Sequence, residues 1–147
     1  MSSFTAPLTV TALPAPARGA ARLLPPGFQR PRWRVRSGFD YAVGSLDNPS
    51  EIVTVPGGYV FDGASVPLPF RAIVPMAHPN YMQAAALHDW MLTTGRYPRA
   101  FSDRVFHEAL DVLGMPPVWR VALYGAVRIG AVWWHVRRVT RGATNAS

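Results

Sequence analysis

The chain has 147 residues, 49% of them hydrophobic and 16% charged, which suits one globular domain and excludes a disordered or fibrous chain. It holds no cysteine, so a disulfide scaffold and any thiolate metal site are excluded. The formal net charge is +7 and all 15 basic residues are arginine, whose planar fork suits carboxylates and phosphates.

The charge is segregated along the chain. Residues 1–36 carry six arginines and no acid, and residues 118–147 carry five more and no acid. All eight acids lie between Asp40 and Asp111, beside four arginines. Basic ends around an acidic middle can meet nucleic acid, an acidic neighbour, or the acidic middle itself. No segment reads as a membrane span: the uncharged run from Ala72 to His88 is broken by Pro75, His78, Pro79, Asn80 and Gln83. The N-terminus has neither a basic n-region nor a continuous apolar stretch, so no secretory signal peptide is expected.

In chain order, residues 1–32 are rich in Pro, Ala and Arg and read as an extended arm, with a short alternating strand between Leu8 and Leu13. A single domain follows over 33–140, with a flexible tail at 141–147. Its first half is β. Trp33–Arg36 alternates, Phe39–Val43 has strand composition, and Ile52–Val55 and Tyr59–Phe61 flank the turn Pro56-Gly57-Gly58. These runs predict a small antiparallel sheet of three to five strands.

Three helices follow, giving an α+β chain: a small antiparallel sheet, a three-helix C-terminal half and an extended N-terminal arm. The first helix spans about Asn80 to Leu92 and places Tyr81, Ala85, His88 and Leu92 on one stripe. Only Gln83 and Asp89 interrupt the rest of its apolar surface, which marks a buried helix. The second starts near Ser102 as N-cap and stops at Gly114, with a core stripe of Phe106, Ala109, Leu110 and Leu113. Asp103 borders that stripe, while Arg104 and Glu108 are expected to face solvent. The third runs from Pro116-Pro117 to about Arg138. Arg120, Arg128, His135 and Arg138 share an arc of about 80° on it, with Tyr124 among them.

Two constellations carry chemistry. Asp62-Gly63 leaves a strand for a turn, where Asp caps a backbone N–H and Gly permits positive φ. Asp62 is a structural turn residue in one reading, a metal ligand or catalytic carboxylate in the other. Ser65 lacks the Gly-x-Ser-x-Gly elbow of a nucleophile. His88 and Asp89 are adjacent, so they diverge by about 100° on a helix. As a catalytic centre, Asp62, His88 and Asp89 would be the working groups. A divalent metal such as zinc would sit on His88, Asp103 and His107, the last two being one helical turn apart. The alternative needs no cofactor: a buried network of Asp62, His88, Asp89, Asp103 and Arg128 that satisfies its members internally. Trp119, Arg120, Tyr124, Trp133, Trp134 and Arg138 form a candidate interface, because aromatics and arginine are enriched there.

The run Ile52–Pro67, with Phe61-Asp62-Gly63-Ala64-Ser65 at its centre, resembles the signature of a family known as domain of unknown function 1353. His88-Asp89-Trp90, Arg99-x-x-x-Asp103-x-x-Phe106 and Tyr124–Gly130 agree with it in order and spacing, and the likeness covers roughly residues 33 to 135. Phe61 departs from the Thr often found there, and residues 1–32 lie outside. The resemblance implies a product of tailed bacteriophages or prophages and supplies no activity. The function expected is a virion structural or accessory protein, tail-associated, made in the host cytoplasm and bound to other virion proteins in an oligomeric assembly. The alternatives are a metal-dependent hydrolase acting on the cell envelope and a DNA-binding accessory protein.

Overall fold

A computed structural model describes residues 3–14, 32–61 and 79–144, with backbone alone for 79–80 and 131–144. The elements are β1 (Val10–Leu13), β2 (Arg32–Val35), β3 (Phe39–Val43), β4 (Glu51–Val55), β5 (Val60–Phe61), α1 (Pro79–Thr94), α2 (Arg99–Val112) and α3 (Pro117–Thr144). Strands followed by three helices make this an α+β chain.

The strands form two antiparallel sheets among the described residues. One has the order β1-β2-β5 and the other is the hairpin β3-β4. Tyr41 faces Val53 in the hairpin, and Trp33 faces Phe61 in the other sheet. The strands on either side of Pro56-Gly57-Gly58 therefore do not pair with each other. The turn passes the chain from one sheet to the next, with the Gly58 N–H donating to Val35 O at 2.8 Å. Gly38 is needed at the crossing, since a Cβ there would lie 2.9 Å from Val55 O.

Alternation decides which side of the hairpin is buried. Phe39, Tyr41, Val43, Val53 and Val55 are all buried. The N-terminal residues join this layer. Ser3 and Phe4 are buried, and Phe4 packs on Tyr41 at 4.5 Å and Phe39 at 5.8 Å between ring centroids. Ala42 N donates to Ser3 O at 2.8 Å, and Gln83 Nε2 donates to Ala6 O at 2.8 Å. Residues 3–14 of the expected arm thus lie on the domain; 15–31 fall outside the described residues.

α1 is the central element. Tyr81 through His88 are all buried, as the near-absence of polar residues requires. It packs against α2 and against β4 and β5. α2 begins earlier than Ser102: Pro98 is its N-cap, and Ser102 is buried inside the first turns with its hydroxyl donating to Pro98 O. Its end is as expected, because Gly114 at φ 75° turns the chain out of the helix. α3 has 28 residues against 14 in α2, so at 1.5 Å per residue it is about twice as long as the helix it packs on. Among the described residues no helix is long and apolar enough to cross a membrane.

A second departure concerns Glu108. It does not point into solvent but is half-buried, and its Oε1 accepts from the Tyr41 hydroxyl and the Gly44 N–H, both at 2.8 Å. Burial and the bond to Glu108 push the Tyr41 phenol well above its ordinary pKa, so it remains a donor. This carboxylate ties α2 to the end of β3. Glu108→Ala should destabilise the protein by about 2 kcal/mol in urea denaturation, and Tyr41→Phe by about 1 kcal/mol, since the latter leaves no buried hydroxyl without a partner.

Candidate functional site

Three helices each direct one polar side chain to a common point. His88 comes from the buried stripe of α1, Asp103 from the edge of the core stripe of α2, and Arg128 from α3. His88 Nε2 lies 2.9 Å from Asp103 Oδ1. Their side chains are 1% and 0% exposed, so no solute reaches either group in this conformation. The His88 ring also lies against Phe106, 5.0 Å between centroids. On the outer side, Arg128 Nη1 stands 3.6 Å from Asp103 Oδ2, too far for a hydrogen bond, and the Arg128 side chain is 52% exposed.

Burial opposes the charge on Asp103. The hydrogen bond and electrostatic pull of His88, with the guanidiniums of Arg99 and Arg128, outweigh it and hold the carboxyl below its ordinary value. An ionised carboxylate can only accept, so the His88 Nε2–H donates. Asp103 Oδ2 has no hydrogen-bond partner among the described residues, and the electrostatic attraction of Arg99 and of Arg128, the latter at ion-pair distance, helps to balance its charge.

The remaining candidates go elsewhere. Asp89 diverges from His88 as helical geometry requires, and lines an open groove of about 380 Å³ with Arg32, Tyr59, Phe61, Leu92 and Thr93. His107 lies edge-on to Tyr124, 5.3 Å between ring centroids. Among the described residues, no three His, Cys, Asp or Glu side chains are grouped to hold a metal ion. Asp62 and Ser65 lie outside the described residues.

The residues expected at an interface divide in the same way. Trp119 packs against the core, Arg120 pairs with Asp111, and Tyr124 is half-buried beside His107. This face of α3 is turned into the domain. Trp133, Trp134 and Arg138 lie on the stretch of α3 described by backbone alone. The exposed apolar residues of α3 are instead Val118, Val121 and Ile129, at 72%, 67% and 52% exposure. On the helical wheel these three lie beside the arginine arc, outside the aromatic and basic set that interface composition singles out.

Fold and site together define a small α+β domain locked by a buried His–Asp pair beneath an arginine. Residues 33–127 match the family described as Protein of unknown function (DUF1353), and the chain belongs to it. No curated protein and no solved structure matches the chain.

Because the folded value of Asp103 lies below the unfolded one, its contribution is fully present above the ordinary carboxylate pKa of about 3.9. It is lost as pH falls through the lower folded value. Asp103→Asn should cost about 3 kcal/mol at neutral pH in urea denaturation, a deficit that shrinks as pH drops below about 4. Arg128→Ala, at a half-exposed position, should cost under about 1 kcal/mol.

Proposed function

We propose that this protein is a structural or accessory component of a bacteriophage particle, tail-associated, which works by binding neighbouring virion proteins. The observation that carries this reading is the outer face of α3, where Val118, Val121 and Ile129 are more than half exposed on a helix whose other side is packed. Large aliphatic side chains arrayed on one helical arc lose free energy in water and gain it against a partner. The resemblance of Ile52–Pro67 and His88-Asp89-Trp90 to the family implies a phage product, and it is this implication that directs the reading to the virion. Enclosed as they are, His88 and Asp103 do not meet a substrate, because a general base must reach the proton it takes.

Mass spectrometry of purified particles tests this directly. The protein should be present at a fixed copy number relative to the other tail proteins, and Val121→Glu should lower its incorporation while leaving its circular dichroism unchanged. Absence from particles would overturn the reading. Normal incorporation of a folded Val121→Glu protein would separate α3 from it.

A further inference from the structure

We propose that the outer face of α3 is a coiled-coil seam that pairs antiparallel with the same face of a second copy of this chain. This rests on the reading of α3 as an assembly surface and names its partner. Apolar side chains that return at alternating steps of four and three residues keep one stripe of a helix facing a partner helix. Val118, Ala122, Gly125 and Ile129 follow that spacing. Val118 and Ile129 are 72% and 52% exposed, Ala122 and Gly125 are half-buried, and a Cβ at Gly125 would meet nothing within 4 Å. In sequence the same spacing continues along the helix at Val132, Val136, Val139 and Ala143. All these positions fall within an arc of about 100°, and none is polar. The inward stripe behaves differently. It opens with Leu123 and Val127 in the core, and the same spacing then brings it to Arg137 and Arg141. The outer stripe is apolar from the first turn of α3 to the last, close to four heptads, which is the length at which a heptad pattern specifies a coiled coil.

The order of sizes along the stripe selects the occupant. Antiparallel pairing with its own copy about the stripe's midpoint sets Val118 opposite Ala143, Ala122 opposite Val139, Gly125 opposite Val136 and Ile129 opposite Val132. Each small residue then meets a branched one, so the layers fill evenly. Parallel pairing sets every residue opposite itself. Ala122 would face Ala122 and Gly125 would face Gly125, leaving two successive hollow layers. The stripe is thus complementary to itself in one direction, and a self-complementary patch takes a second copy as its partner. Charge permits the same arrangement. No seam position is charged, and Arg128, which borders the seam, comes opposite position 135 of the second copy, a histidine, and not opposite its own counterpart. Space permits it as well, since the packed side of α3, with Leu123 and Val127, lies across the helix axis from the seam. The two domains then sit on opposite sides of the helix pair, related by a two-fold axis.

Sedimentation equilibrium and disulfide trapping on the full chain test this. Wild-type protein should form a dimer and nothing larger. Ile129→Asp, which puts a charge in the central layers of the seam, should raise the dissociation constant by on the order of a hundredfold. Circular dichroism at a concentration where both proteins are monomers checks that the variant is folded. The chain has no cysteine, so introduced ones report without background. In the antiparallel pair two Ala122→Cys copies hold their thiols about 25 Å apart, the rise of the helix from 122 to 139. Ala122→Cys alone and Val139→Cys alone should therefore give no disulfide-linked dimer on oxidation, and a mixture of the two should give one. A monomeric wild type, a larger assembly, a dimer indifferent to Ile129→Asp, a mixture that fails to link, or linkage of Ala122→Cys to itself would each overturn the proposal. Monomeric purified protein that is nevertheless present in particles would overturn self-pairing alone. An antiparallel dimer of a protein absent from particles would overturn the virion reading alone.

Discussion

The hydrogen bond between His88 and Asp103 sets the terms for the rest of the helical half. A carboxylate with no exposed surface is tolerated only where donors and positive charge replace the water it has lost. Here those groups come from different elements: His88 from α1, Arg99 from the start of α2, and Arg128 from α3. Moving either neighbouring helix relative to α2 would leave that charge uncompensated. Apolar packing among Leu87, Met91, Phe106, Leu110 and Leu123 supplies most of the stabilisation, but it fixes orientation loosely. The polar pair removes that freedom by requiring one register of α1 on α2.

α2 is anchored on two flanks. Asp103 faces the other helices, and five residues later Glu108 reaches the strand layer through Tyr41 and Gly44. One helix therefore carries both carboxylates that join the layers. This arrangement uses the inward side of α3 for Trp119, Leu123 and Val127 and leaves its outer side uncommitted. The exposed apolar arc of Val118, Val121 and Ile129 is a by-product of how the core is locked.

The helices were the legible part of the sequence, because their signals are local. Uniform apolarity marks α1 as buried, Gly114 marks the end of α2, and wheel position sets His88 on one core stripe and Asp103 at the edge of another. The His–Asp pairing could be anticipated from the rule that buried polar groups need partners. Glu108 was misplaced for the converse reason: on the wheel it looks outward, and only the sheet packed on that flank gives it donors. The buried Tyr41, whose hydroxyl needs an acceptor, was the signal that would have found it. Strand pairing was not legible either. β4 and β5 flank a tight turn yet enter different sheets, a choice made by distant residues such as Val35 and Gly38. Nor did the Pro- and Ala-rich N-terminus announce that Phe4 would complete an aromatic cluster with Phe39 and Tyr41.

The central claim is that His88 and Asp103 act on each other and serve to hold the helices together. A double-mutant cycle measures that interaction with the individual losses removed. With His88→Ala, Asp103→Ala and the double variant compared by urea denaturation at neutral pH, this account predicts a coupling of at least about 1.5 kcal/mol. A coupling near zero, with each substitution destabilising independently of the other, would contradict it.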